Sequence, residues 1–69
     1  MVPVALVQLA EREFAFLMRD AQEDAMQVLA LAHCESQGKD SITVARAELS
    51  QLARDLGYRR DGETWRRAA

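Results

Sequence analysis

The chain has 69 residues, of which 49% are hydrophobic and 29% charged, with three glycines, one proline and one cysteine. This composition is typical of one folded domain over residues 1–69, and it excludes a disordered chain and an intrachain disulfide. The net charge of −2 is unevenly divided: residues 1–45 carry three basic and seven acidic groups (−4), and residues 46–69 carry six and four (+2). Because so short a chain gains little net stability from its own core, we expect self-association or a partner to add to it.

The apolar start of the chain, MVPVALVQLA, does not have the pattern of a targeting segment. No basic residue precedes it, and a membrane-spanning helix needs about 20 apolar residues. We therefore expect neither a signal peptide nor a membrane span. A soluble, cytoplasmic protein with a reduced thiol is the prediction.

The stretch from Val4 to Gln37 contains neither glycine nor proline, and its residue types favour a helix throughout. A continuous helix over residues 4–36 would be about 50 Å long, whereas a compact globule of this chain length is about 30 Å across. An unbroken helix therefore predicts a homodimer paired along its length. The alternative is a break near Asp20, where the sequence Asp20-Ala-Gln-Glu23 resembles a capping box.

The predicted helix carries apolar residues at three- and four-residue steps, which form one stripe. Leu9, Phe16 and Met26 lie off this stripe and predict surplus apolar surface for a further partner. The candidate dimer interface consists of five residues of the stripe: Phe14, Leu17, Ala21, Ala25 and Val28.

The segment SQGKDS, residues 36–41, is the one clear loop, and it turns the chain back into an antiparallel second helix. Gly57 ends that helix, and residues 63–68 are predicted to form a short helical turn. No stretch shows the alternation of a strand. The predicted fold class is therefore all-α, a helical bundle completed by dimerisation.

The residue types that carry metal or catalytic chemistry are sparse. His33, Cys34 and Glu35 are adjacent, whereas ligand pairs on a helix stand at i and i+4. One cysteine and one histidine cannot complete a structural zinc site, and no nucleophile has a base within reach. We expect no metal, no cofactor and no enzymatic activity.

The C-terminal sequence ELSQLARDLGYRR resembles the first helix and turn of the helix-turn-helix of bacterial repressors, and the resemblance extends over residues 46–67. Ala53 and Gly57 stand at the matching four-residue spacing, but the apolar residue of the second helix arrives late, at Trp65. The resemblance implies phosphate contacts from Arg59 and Arg60, and it implies a major-groove surface made of Thr64, Trp65, Arg66 and Arg67. A fainter likeness, of KDSITVARAELSQLARDLGY to the last loop and helix of a histone fold, adds no site.

Two functional hypotheses follow. The first is a small non-catalytic, oligomeric binding or regulatory protein that acts through a protein partner, with the tail folded back so that Trp65 packs on the helices. The second is a dimeric DNA-binding regulator that uses residues 46–67. In both, the candidate partner or nucleic-acid surface is the same set: Arg59, Arg60, Thr64, Trp65, Arg66 and Arg67. The sequence does not identify the partner.

Overall fold

A computed structural model describes residues 1–68 of the chain. Its elements, in chain order, are the helices α1 (Val4–Glu13), α2 (Ala15–Asp20), α3 (Gln22–Ser36) and α4 (Ser41–Asp55), and the strands β1 (Tyr58–Asp61) and β2 (Thr64–Arg67). The two strands form an antiparallel hairpin. The protein is mostly helical, but the all-α prediction is wrong because of this hairpin.

The predicted long helix is broken twice, so the prediction of one helix over residues 4–36 is wrong. Phe14 leaves the helical region with φ −129° and ψ 42°, and Ala21 does so with φ −144° and ψ 46°. The alternative, a break near Asp20, is confirmed in its position, because α2 ends at Asp20 and the break is at Ala21, but its expected cause is wrong. Within residues 1–68, neither α2 nor α3 begins with a side-chain cap, so Asp20 does not form a capping box.

The first break has a packing reason. Side chains two positions apart on a straight helix point about 200° from each other, so Phe14 and Phe16 would face opposite sides. The break brings their ring centroids to 6.2 Å, and Phe14 is only 1% exposed. The broken chain wraps around its own core, with a Cα radius of gyration of 11.3 Å and extents of 37 × 21 × 19 Å.

Helices α3 and α4 pack as an antiparallel pair. Val28 of α3 lies beside Leu52 and Asp55 near the end of α4, whereas Glu35, seven residues later, lies beside Glu48. The antiparallel second helix therefore agrees with the prediction, and so does the helix end, since Gly57 follows it with φ 93°.

The apolar stripe lies in the core of the single chain. Phe14, Leu17 and Ala25 are at most 1% exposed, and Ala21 and Val28 are half-buried. The unbroken helix that required a second copy is absent from the described residues, so the homodimer stays a prediction without that argument. The core consists of Leu6, Leu9, Ala10, Phe14, Leu17, Ala25, Leu29, Ala32, Ala45, Leu49, Ala53 and Tyr58.

The predicted surplus apolar surface is also wrong. Leu9 is 1% exposed, and Phe16 and Met26 are partly buried and pack against the core. In a helix interrupted at Phe14 and Ala21, residues that lie off a straight stripe can still turn inward.

The C-terminal segment folds as a hairpin, so the helical turn predicted for residues 63–68 is wrong. Gly62 and Glu63 connect the strands, and Gly62 has φ 67°, as the first central residue of a type II′ hairpin turn requires. The signal for this hairpin was Asp61-Gly62 between two short segments that each carry an aromatic residue, Tyr58 and Trp65.

Replacement of Phe14 by alanine tests the packing account of the first break. Because Phe14 is fully buried, we expect Phe14→Ala to lower the free energy of unfolding by about 3 kcal/mol or more. Urea denaturation followed by far-UV circular dichroism measures it. Leu31→Ala is the control, because Leu31 is 55% exposed and its loss should cost within about 0.5 kcal/mol. Equal losses in the two variants would contradict the account.

Candidate interaction surface on the C-terminal hairpin

The two faces of the hairpin differ in what they contact. The cross-strand pairs are Tyr58 with Arg67, Arg59 with Arg66, Arg60 with Trp65, and Asp61 with Thr64. Because successive side chains of a strand point to opposite faces, alternate pairs share a face. The inner face carries Tyr58, Arg60, Trp65 and Arg67, and the outer face carries Arg59, Asp61, Thr64 and Arg66.

The inner face is held to the helices by an aromatic cluster. The Phe16 ring centroid lies 4.5 Å from that of Tyr58 and 5.9 Å from that of Trp65, and the Phe14 centroid is also 5.9 Å from that of Trp65. These separations lie in the range in which tilted aromatic pairs attract. We call Phe14, Phe16, Tyr58 and Trp65 the aromatic cluster.

Two arginines cover this cluster. The guanidinium carbon of Arg54 lies 5.8 Å from the Trp65 centroid, and that of Arg67 lies 5.7 Å from the Tyr58 centroid. A cation over an aromatic face gains electrostatic attraction, and the aliphatic stem of arginine covers apolar surface. Arg54 therefore helps to fix the hairpin against α4, whereas Arg67 joins the two strands of the hairpin.

A hydrogen-bond chain fixes the start of β1. The Tyr58 hydroxyl donates to Asp20 Oδ2 at 2.9 Å, and Arg19 donates to the same carboxylate through Nε at 2.9 Å and Nη2 at 3.2 Å. The Arg19 hydrogen bond, followed by that of Tyr58, lowers the pKa of Asp20. The hydrogen bond to Asp20, followed by burial, raises the pKa of Tyr58. Asp20, at the end of α2, thus anchors the hairpin.

The outer face of the hairpin places two positive charges opposite each other. Arg59 and Arg66 are direct cross-strand partners, so their Cβ atoms are about 5 Å apart, and like charges in this position destabilise a sheet. The charge of Arg66 is balanced by Asp61, because Asp61 Oδ2 lies 3.0 Å from Arg66 Nε. Arg59 takes part in none of the ion pairs formed within residues 1–68.

A cleft lies beside β1. It has a volume of about 570 Å³ and lies between the end of α4 and β1, where three of its lining side chains are arginines. The lining residues are Arg54, Gly57, Tyr58, Arg59, Arg60 and Ala68. We use the name arginine face for the outer-face pair Arg59 and Arg66 together with Arg54 and Arg60, which line the adjoining cleft.

The six residues predicted from the sequence as one interaction surface therefore lie on two different faces of the hairpin. Arg59 and Arg66 point outward, Arg60 and Arg67 share the inner face, and Trp65 is half-buried in the aromatic cluster. Thr64 donates from Oγ1 to the Asp61 carbonyl oxygen at 3.0 Å, across the turn. The segment that the helix-turn-helix resemblance assigns to the major groove, residues 64–67, is strand β2.

Arg54 is the site residue that the sequence reasoning missed. It lies on the flank of α4 that faces the hairpin, and its position over Trp65 depends on how the strands fold back. Only its place in the last turn before Gly57 could have suggested that it lies close to the strands.

The residues considered as metal ligands do not form a cluster. Cys34 is exposed, and the buried His33 Nδ1 has no hydrogen-bond partner within residues 1–68. In the same residues, no group of three or more His, Cys, Asp or Glu side chains is placed to hold a metal ion.

Two further findings concern the chain as a whole. None of the helices in residues 1–68 combines the length and the apolar character that a membrane crossing requires. Comparisons with protein-family models, with curated proteins and with solved structures find no match to this chain.

The contact between Tyr58 and Asp20 predicts a pH-dependent stability. The lowered pKa of Asp20 stabilises the fold above its ordinary value of 3.8, and this contribution is lost as the pH falls through the folded-state pKa. The raised pKa of Tyr58 stabilises the fold below its ordinary value of 10.0, and this is lost as the pH rises through the folded-state pKa.

We expect Tyr58→Phe to lower the melting temperature most between these two values. The difference from wild type should shrink at more acidic and more alkaline pH. Calorimetric melts across the pH range measure it. Arg19→Gln is the matched variant, because it removes the largest cause of the Asp20 pKa shift and only the smallest cause acting on the pKa of Tyr58, so it should change mainly the acidic limb. If the melting temperatures of Tyr58→Phe and wild type differ by the same amount at every pH, the assigned contribution of the hydrogen bond from Tyr58 to Asp20 is wrong.

Proposed function

We propose that this protein is a small, non-catalytic binding protein whose arginine face contacts a protein partner that presents carboxylates. The observation that carries the proposal is the direct opposition of Arg59 and Arg66 on the exposed face of the hairpin. Asp61 pairs with Arg66 but not with Arg59, and an anion bound between the two arginines would offset the repulsion that remains.

The geometry suits carboxylates. Each guanidinium can hold a carboxylate through two parallel hydrogen bonds, which are stronger than those between neutral groups. The aromatic cluster and the hydrogen bond from Tyr58 to Asp20 hold the strands, so less conformational freedom is lost on binding. Arginine supported by buried aromatic rings is a common centre of protein interfaces.

The charge distribution supports a protein partner over nucleic acid. Residues 58–68 carry four arginines against Asp61 and Glu63, a balance of +2, and the whole chain is −2. Glu63 lies in the connecting turn and Asp61 beside it, so a groove-inserted hairpin would bring carboxylates to the bases. Nucleic-acid affinity depends on several phosphate contacts, and a negative net charge opposes the approach.

The arginine face offers no group for acid–base catalysis. A guanidinium stays protonated at all ordinary pH values and cannot accept a proton. Its role in this proposal is to bind and orient. The exposed, unpaired Cys34 fits a reducing compartment, and we include a cytoplasmic location in the proposal.

Binding of two labelled probes tests the proposal. Fluorescence anisotropy at about 150 mM salt, where exposed charges are screened beyond about 8 Å, compares a glutamate-rich peptide with a mixed-sequence DNA duplex. We expect the protein to bind the peptide and not the duplex. Arg59→Glu should weaken peptide binding at least about tenfold, which corresponds to about 1.4 kcal/mol.

The control is Lys39→Glu, which makes the same charge change in the loop between α3 and α4, at the other end of α4 from the hairpin. Peptide affinity should stay unchanged in this variant. Tighter binding to duplex DNA than to the peptide, with affinity that falls steeply as salt rises, would instead favour the DNA-binding regulator. Absence of binding to both probes would contradict the proposal.

A further inference from the structure

A groove between α3 and α4 has the opposite character to the arginine face. It has a volume of about 240 Å³, and its lining combines half-buried Val28 and Leu52 with Glu48, Gln51 and Asp55. We propose that the arginine face of one copy docks into this acidic groove of a second copy, head to tail. The inference rests on the proposed function, since it requires that the arginine face binds carboxylates.

A like-charge pair lies at the edge of the groove, where Glu48 of the lining neighbours Glu35. The Glu48 side chain lies within hydrogen-bonding reach of Glu35 on α3, and partial burial together with this neighbour raises the pKa of Glu48. Two carboxylates held together repel each other when both are ionised. A cation placed between Glu35 and Glu48 would remove that repulsion, as an anion would between Arg59 and Arg66.

Exposed apolar side chains flank the groove. Leu31 follows Val28 by three residues on α3, and Leu56 follows Leu52 by four at the end of α4. At these spacings each leucine lies on the same side of its helix as the groove residue before it. Leu31 is 55% exposed and Leu56 is 39% exposed. An arginine can lay its aliphatic stem on such a floor while its guanidinium reaches the carboxylates at the rim.

The position of the groove on α4 determines the form of the assembly. The buried face of α4 centres on Leu49, and from it Arg46 and Arg54 point to the flank that meets Glu13 of α1 and Trp65 of the hairpin. Glu48, Leu52 and Asp55 lie on the opposite flank, beside α3.

Since the hairpin and the groove lie on opposite flanks of α4, two copies cannot easily make both contacts with each other. The contact is heterologous, and each copy keeps one free face and one free groove. Repetition of such a contact gives a ring or an open chain.

Sedimentation equilibrium of the full chain tests the inference. At about 50 mM salt we expect the apparent mass to exceed the 7.8 kDa of one chain and to rise with concentration. At about 500 mM salt it should fall toward one chain, because the contact between charged side chains is screened. A monomer at both salt concentrations, or an oligomer indifferent to salt, would overturn the inference.

Two single variants separate association from folding. Arg59→Glu places a carboxylate opposite Arg66, and Glu48→Lys places an ammonium beside Glu35, so each replaces a repulsive pair by an attractive one. We expect neither to lower the melting temperature, and we expect each to weaken association at least about tenfold, the effect of one lost charge contact. Lys39→Glu should associate as wild type does.

The double variant Arg59→Glu/Glu48→Lys exchanges the charges of the two surfaces. It should recover salt-sensitive association, because the hairpin then presents a carboxylate to a basic groove. If both single variants are folded monomers and the double variant is a monomer as well, the pairing of Arg59 with Glu48 is wrong.

The outcomes distinguish this inference from the proposed function. If the protein binds the glutamate-rich peptide through Arg59 but stays monomeric, the proposed function stands and the head-to-tail contact is wrong. If the protein associates through Arg59 and Glu48 but does not bind the peptide, the head-to-tail contact stands and the proposal of a separate protein partner is wrong.

Discussion

The contact between the rings at the junction of α1 and α2 and the rings of the hairpin is the constraint on which the remaining structure depends. A two-stranded hairpin with four residues in each strand is marginally stable by itself. It persists here because Tyr58 and Trp65 pack against Phe14 and Phe16, which face the same side only when the helix breaks at Phe14. The break, the compact core and the positions of the outer arginines therefore have one common cause.

The charged side chains divide into those that join elements and those that oppose like charges. Arg46 donates twice to Glu13 at 2.9 Å and joins α4 to α1, and Asp20 joins α2 to β1. Exposed ion pairs of this kind add little stability, so their main effect is to fix geometry. The pairs Arg59–Arg66 and Glu35–Glu48 do the opposite, because each costs stability in the isolated chain. Natural proteins often retain such costs where a surface must bind.

The use of the apolar residues also bears on function. A chain of 69 residues has few large apolar side chains. Because the helix breaks twice, nearly all residues of the apolar stripe are buried in the core of a single copy. Little continuous apolar surface then remains for a partner in the described part of the chain, where Leu31 of α3 and Leu56 at the end of α4 are among the few large apolar side chains left exposed. Recognition by this protein therefore depends mainly on charge and on arginine hydrogen bonds. Such contacts favour specificity and rapid association over high affinity.

The sequence by itself determined the features that depend on local interactions. Helical propensity and spacing gave the helical character of most of the chain, the loop at Gly38 and the end of α4 before Gly57. Arg59 and Arg66 were also candidates, from the basic C-terminal end together with the helix-turn-helix resemblance. The tertiary structure decided the breaks at Phe14 and Ala21, because neither residue is a helix breaker and only packing against distant rings favours those conformations. It also decided that Arg59 faces Arg66, because this opposition depends on the strand register. A periodic apolar stripe shows which residues will be buried, but it does not show whether the same chain or a second copy buries them.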